Sequence, residues 1–205
     1  RGLMQRTLVL WLPDWPVTGA VREGLAPAGA ALAVISANRV IACSSAARAE
    51  GVRAGQRRRE AQSLCPALQI VPFDEGRDHR LFSPLIDIVE GLVAGVQVVR
   101  PGLIALAARG PARYYGGEKA AALALRGALA AEADDVRIGI ADGPFAAELA
   151  ARTASTSDGE RGLRIVPAGA SGPFLAPFAV STLGDPGLAT LLGRLGVRTL
   201  GDFAA

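Results

Sequence analysis

The sequence predicts a protein of the α/β (α+β) class, in which helices cover one face of an antiparallel sheet and a short helical end follows. Three observations carry that expectation. Short runs of β-branched and aliphatic residues at 6–12, 31–36, 39–43, 68–73, 96–99, 103–107 and 136–141 have the length and composition of strands. Between several of them lie stretches with helical periodicity, clearest in residues 74–94, where Leu81, Leu85, Ile88, Val89 and Leu92 recur at three and four. The order of the elements is a strand, a small α/β insertion and then α-β-β-α-β-α, the split βαβ or ferredoxin-like arrangement. Half of the 205 residues are hydrophobic and 20% are charged, enough for one large or two small cores and outside the collagen-like, disulfide-scaffold and disordered ranges.

Each element has a local cause. Residues 6–12 (RTLVLWL) read as a buried strand stopped by Pro13 and Pro16, with a helix expected over 17–25. Residues 31–36 and 39–43 flank Ala37-Asn38 and read as a hairpin. Ser44 or Ser45 then caps a short helix that Gly51 ends. A second short helix over 57–64 stops at Cys65-Pro66, and 68–73 returns as a strand. Pro101-Gly102 turns between the strands at 96–99 and 103–107. Residues 118–131 form an Ala/Leu helix, 136–141 (VRIGIA) a strand, and 144–153 a helix with Asp142 as its expected N-cap. The uncharged run 165–184, with Pro167, Pro173 and Pro177, reads as a linker rather than a membrane span. Asp185-Pro186 opens a helix to about Arg194, Gly196 turns the chain, and Thr199 starts another helix.

Scarcity of reactive side chains narrows the chemistry. One histidine, His79, and two cysteines, Cys43 and Cys65, lack the paired spacing of a zinc site, so no metal and no cofactor are expected. The cysteines read as reduced core thiols of a cytosolic protein, and His79 as a surface residue. Trp11, in a strand, is expected in the core. The apolar stretch 7–12 is too short for a signal peptide, so a cytoplasmic location without membrane contact follows. The net charge is only +3, with Lys119 the sole lysine, and charge alone names no nucleic-acid partner. Gly117-Glu118-Lys119-Ala120 imitates the end of a P-loop but lacks its leading glycine spacing and its Ser/Thr.

Residues 39–55 (RVIACSSAARAEGVRAG), followed by Glu60-Ala61 and Cys65-Pro66, resemble the fingers of Y-family translesion DNA polymerases. Residues 136–141 resemble the last palm strand of that family and 183–203 its thumb. The opening LVLWLPDWPV at 8–17 resembles ImuB-type proteins, the polymerase-like subunit of a bacterial mutagenic repair complex. The resemblance implies a palm from 1–17 and 74–169, fingers from 18–73, and a helix-hairpin-helix thumb from 170–205. It also implies that the chain, which ends inside the thumb without the little finger, is a truncated piece or the ordered part of a longer protein; residues 1–3 ahead of Met4 read as a cloning remnant.

The departures from the family pattern are the sharper signal. Nucleotidyl transfer by two metals needs carboxylates converging on a pair of Mg²⁺ ions about 3.5–4 Å apart. The family carries an Asp near the end of the first strand and an Asp-Glu pair between the two central palm strands. Here those regions read Leu12-Pro13-Asp14-Trp15 and Arg100-Pro101-Gly102, and no acidic residue lies between Gly91 and Glu118. By this comparison Pro13, Asp14, Pro101, Gly102 and Glu148 are degenerate catalytic positions. Asp142 could join Asp14 on a metal, but its context fits helix capping. The family's fingers Tyr falls on Ser45 while its Arg matches Arg48, its basic residue after the last palm strand falls on Glu148, and its steric-gate aromatic falls near Pro16 or Val17.

These readings lead to the expectation that the chain is not an enzyme but a DNA-binding adaptor in mutagenic translesion synthesis during the SOS response to DNA damage. Its phosphate-binding residues are then Arg48, Arg53, Arg57, Arg58, Arg59, Gly184 and Gly196, the glycines through thumb backbone N–H groups. Arg57, Arg58 and Arg59 equally read as a solvated helix start. Its partners by resemblance are primer–template DNA, a sliding clamp, a RecA-like accessory subunit and an error-prone replicative-type polymerase, in the bacterial cytoplasm at the nucleoid. Two alternatives stay open: a diverged active polymerase using Asp14, and a pure protein-interaction module.

Overall fold

The computed structural model describes residues 5–154 and 162–204. The elements are β1 (Arg6–Trp11), α1 (Trp15–Arg22), β2 (Leu32–Ser36), β3 (Arg39–Cys43), α2 (Ser45–Ala49), α3 (Arg58–Leu64), β4 (Gln69–Pro72), α4 (Glu75–Glu90), β5 (Gln97–Arg100), β6 (Leu103–Ala107), α5 (Arg109–Tyr115), α6 (Glu118–Leu129), β7 (Arg137–Asp142), α7 (Pro144–Arg152), β8 (Leu163–Ile165), α8 (Ser171–Leu175), a 3-10 turn (Val180–Leu183), α9 (Pro186–Arg194) and α10 (Leu200–Ala204). A five-stranded sheet has the order β5-β6-β1-β7-β8, which is the expected split βαβ order with β8 added beside β7. A second sheet has the order β3-β2-β4. The chain divides into two compact units, one built from residues 1–11, 105–127 and 137–205 and the other from 12–104 and 128–136.

In the first unit β1 and β7 pair antiparallel from Arg6↔Asp142 to Trp11↔Arg137, and β7 pairs parallel with β8. Because side chains alternate along a strand, Leu8 and Leu10 of β1 share a face with Ile138 and Ile140 of β7, all at 1% exposure or less. Burying each such side chain contributes about 1.5–3 kcal/mol. The opposite face carries Val9 and Gly139, and α7 lies against it through Ala146, Ala147, Ala150 and Ala151, all buried. Trp11 is half-buried rather than in the core, because it sits at the strand end under the guanidinium groups of Arg137 and Arg152, 5.2 and 5.3 Å from its ring.

The expected N-cap of α7 is corrected: Gly143 occupies that position without a side-chain bond, and the Asp142 carboxylate turns to other partners described below. The run read as a linker at 165–184 holds α8 and the 3-10 turn. In the following hairpin Asp185 caps α9 by accepting from Leu188 N at 2.9 Å. Thr199 and Asp202 cap α10 reciprocally, Asp202 N donating to Thr199 Oγ1 and Thr199 N to Asp202 Oδ2.

In the second unit the β2–β3 hairpin turns on Ala37 and Asn38, both at positive φ (45° and 62°), the geometry that matches strand twist. Val34, Ala42 and Val71 pack with Val17 and Ala20 of α1, while Cys43 and Cys65 are free thiols in the neighbouring cluster with Ala47, Val52 and Ala61. Helix α4 buries Phe82, Leu85 and Val89, whereas Leu92, expected on that face, lies beyond the helix end at 37% exposure. Phe82 meets Trp15 edge to face at 5.0 Å, and Trp15 Nε1 donates to Asp78 O at 3.0 Å. Beside them Arg77 and Asp78 form a buried ion pair, Nε to Oδ1 at 2.9 Å, in which burial pushes the Asp78 carboxyl up despite the guanidinium. None of the described helices is long and apolar enough to cross a membrane.

Candidate functional site

The chain leaves β1 through Leu12 and Pro13, and Leu12 N donates to Gly102 O at 2.8 Å. Gly102 turns β5 into β6 at φ 84°, and a Cβ there would stand 2.7 Å from Trp15 Cβ and 3.0 Å from Leu12 O. The corner therefore has no room for a side chain at 102, and Pro101, half-buried before it, brings no polar group. Asp14 takes a left-handed conformation (φ 50°, ψ 37°) at the start of α1, where its carbonyl accepts from Val17 N and Thr18 N. Its side chain is bound to Arg48 of α2, Nη2 to Oδ2 at 2.5 Å, and the same Nη2 reaches Cys43 O at 3.0 Å. The hydrogen bond that Arg48 donates to Asp14 raises the Arg48 pKa above its already high ordinary value, against the opposing effect of burial.

Asp14 and Arg48 thus neutralise one another, a carboxylate at a position read as degenerate being tied to an arginine read as matching the family's fingers. A pair of Mg²⁺ ions takes several oxygen ligands each. The residues here do not fit that pair: Asp14 is engaged, and Pro101 and Gly102 hold no oxygen-bearing side chain. Among the described residues no three His, Cys, Asp or Glu side chains converge to hold a metal ion.

The arginines lie on the same unit. Arg53, exposed, donates to Arg48 O at 2.6 Å and to Val52 O at 2.8 Å, so it braces the loop after α2. Arg57, Arg58 and Arg59 are exposed at the start of α3. Arg39, which sequence reasoning left out, joins them: it forms an isolated bridge with Arg57 and its guanidinium donates to Gly55 O at 2.7 Å. The signal was present in the hairpin, because Arg39 is the first residue after the Ala37-Asn38 turn and has to face the loop that returns at Gly55.

Other expected positions lie in the first unit. Glu148 on α7 is bonded to Arg152 one turn later at 2.6 Å. Gly184 and Gly196 both have positive φ, 80° and 85°, and their N–H groups donate within their own turns, to Ser181 O and Gly193 O at 3.2 Å. In the second unit His79 is exposed on α4, 3.8 Å from Glu75.

A polar network absent from sequence reasoning surrounds Arg6. Its guanidinium bonds Glu118 twice, at 2.9 and 2.7 Å, Asp142 Oδ1 at 3.2 Å and Val166 O at 2.9 Å. Asp142 Oδ2 accepts from Gly169 N at 2.6 Å, and Asp142 N donates to Ser171 Oγ. The Gly169 N–H, with Arg6, holds the Asp142 carboxyl below its ordinary value near 4. A carboxyl with a lowered folded pKa contributes stability above its unfolded pKa and loses it as pH falls through the folded value. Asp142→Asn should therefore lower Tm at pH 6, and the gap from the parent should shrink steadily between about pH 4 and pH 2. A gap independent of pH in thermal melts would show that the carboxylate charge has no part in it.

The IMS family, described as impB/mucB/samB, matches residues 20–152 of the chain. A relative named DNA polymerase IV 2, from Mesorhizobium japonicum, is 30% identical over 168 residues, 80% of this chain and 40% of that protein. Among solved structures, a ternary complex of Dbh shares 17% identity and superposes with a TM-score of 0.75 over 98% of this chain and 60% of its own. DinB from Sulfolobus solfataricus, at 17% identity, gives 0.72 over 96% of this chain and 59% of its own. The fold is thus that of the Y-family polymerases. The chain spans less than half of the curated relative and about 60% of these structures. The expectation that the chain is not an enzyme is overturned here, because the relative is named a DNA polymerase and the family points to enzymes. With a family match over 20–152, about two thirds of its length, the chain belongs to the impB/mucB/samB (IMS) family.

Proposed function

We propose that the chain is the DNA-holding part of an ImuB-type protein and acts in translesion synthesis as an adaptor that seats primer–template DNA. The observation that carries this reading is the exposed arginine surface of Arg39, Arg53, Arg57, Arg58 and Arg59, found in a family whose structural likenesses include an insertion ternary complex of Dbh DNA polymerase. Arginines laid along a phosphate backbone release counterions and bind without reading sequence. In this reading residues 1–17 and 74–169 are the palm, 18–73 the fingers and 170–205 the thumb. The whole protein works at the bacterial nucleoid with a sliding clamp, a RecA-like accessory subunit and an error-prone replicative-type polymerase.

Fluorescence anisotropy with a primer–template duplex at two or more salt concentrations tests the reading. The affinity is expected to fall steeply with salt, and replacing Arg57, Arg58 and Arg59 by Ala should reduce the slope by about one for each arginine that holds a phosphate. Binding that ignores salt, or a slope untouched by the triple variant, would remove the adaptor proposal. A second reading, nucleotidyl transfer by the chain itself, is favoured by its likeness to a protein named DNA polymerase IV 2. Primer extension in Mg²⁺ or Mn²⁺ that is lost in Asp14→Ala selects it.

A further inference from the structure

The first unit contains a cavity of about 1120 Å³ that neither DNA binding nor the corner at Asp14 uses. Ala112, Pro144, Phe145, Ala168 and Leu175 supply apolar wall, while Arg6, Glu118 and Asp142 supply partly buried charged groups. Its size suits a drug-sized organic molecule, and apolar walls around a few fixed polar groups are the usual make-up of small-ligand sites.

The charges decide what kind of molecule. Two carboxylates face one guanidinium, and the lowered pKa of Asp142 keeps that carboxylate ionised at neutral pH. The inner polar group therefore carries one net negative charge. Arg6 spends four of its five N–H donors, Nε, both of Nη1 and one of Nη2, on Glu118, Asp142 and Val166 O. Each carboxylate oxygen, in contrast, accepts one hydrogen bond, from Arg6 or, for Asp142 Oδ2, from Gly169 N, and keeps a second lone pair. The open capacity of the inner end is thus mainly for accepting, four lone pairs against one N–H. Arg109, the other charged residue of the lining, is exposed, where water and salt screen it.

We propose that this cavity is a binding site for an organic monocation with an apolar body, its amine, amidine or guanidine donating to Glu118 and Asp142 and its body lying against Phe145 and Leu175. The cation source is either a free small molecule or a basic side chain next to an apolar one in a peptide.

The test is an NMR titration of the 205-residue chain with benzamidine, beside neutral benzamide and anionic benzoate as isosteres. Saturable shifts are expected at the amides of Gly143, Phe145, Gly169 and Gly172, with benzamidine binding about tenfold tighter than benzamide and benzoate weakest. Glu118→Gln, which keeps an acceptor for Arg6, should remove most of the preference for benzamidine, and Leu175→Trp, which fills the cavity, should abolish binding of both. A capped Phe-Arg dipeptide binding tighter than benzamidine would place the cation on a peptide, and the reverse would make it a free molecule. Absence of saturable shifts, or benzoate binding as well as benzamidine, overturns the proposal. A folded spectrum for each variant keeps these outcomes separate from unfolding.

Discussion

Gly139→Ala is expected to lower the stability of the chain by about 3 kcal/mol or more and its Tm by roughly 6–12 °C. A Cβ at 139 would stand 2.1 Å from Ala147 O, 2.2 Å from Ala151 N and 2.9 Å from Ala150 C, all backbone atoms of α7. No rotamer change relieves a clash with backbone, so the helix has to withdraw by about 1 Å along the whole seam where Ala146, Ala147, Ala150 and Ala151 lie buried. Withdrawal opens space under four small side chains that have no length to refill it. The control is Gly127→Ala, on the exposed side of α6 with nothing within 4 Å of the new Cβ, which should stabilise by about 0.5–1 kcal/mol through helix propensity. Urea denaturation followed by circular dichroism measures both. If Gly139→Ala kept the parent midpoint while Gly127→Ala raised it, the account of the α7 seam would be wrong.

Gly102→Asp should cost about 2–4 kcal/mol, from left-handed backbone strain together with overpacking. It is the substitution that an attempt to supply a family-like carboxylate would try first. The obstacle is steric, since a Cβ meets Trp15 Cβ at 2.7 Å on a residue held at φ 84°, and Trp15 is fixed in turn by Phe82 and by its bond to Asp78 O. Gly102→Ala should consequently lose nearly as much as Gly102→Asp, because the first atom of the side chain, not its charge, is the intruder. Thermal melts of the two variants decide the point. A Gly102→Asp protein that melts with the parent and gains stability on adding Mn²⁺ would show that the corner can open to hold a cation.

Much of the fold was legible because its causes are local. The apolar run Leu8 to Trp11 of β1, the Ala37-Asn38 turn, the Ser44 cap and the Gly51 stop each lie within a few residues of the element they shape. Gly139 inside VRIGIA also carried a hint, since a glycine within a strand often marks close backbone approach. Helix α5 escaped notice because RGPARYY has one buried residue, Pro111, and no apolar period. Asp142 was misassigned for the opposite reason: its position before Gly143-Pro144 offers a local role, but a guanidinium 136 residues upstream in the chain and a backbone N–H 27 residues downstream outcompete it. The same distance effect hid the site chemistry. Arg48 and Asp14 are 34 residues apart, and nothing in either neighbourhood announces that one will quench the other.

Arg6 is bonded to Asp142 across 136 residues, and all of β1 is paired with β7 in the same antiparallel ladder. During synthesis at about 5–20 residues per second, the strand carrying Leu8, Val9 and Leu10 emerges roughly 7 to 27 s before the strand that covers it. The second unit's β2–β3 hairpin closes within its own dozen residues and has no such delay. Until β6 and then β7 have emerged, the nascent chain therefore holds β1 as a sticky strand without its sheet partners. Apolar strand surface left open for that interval is prone to aggregate, so yield in a cell should rise with chaperone supply.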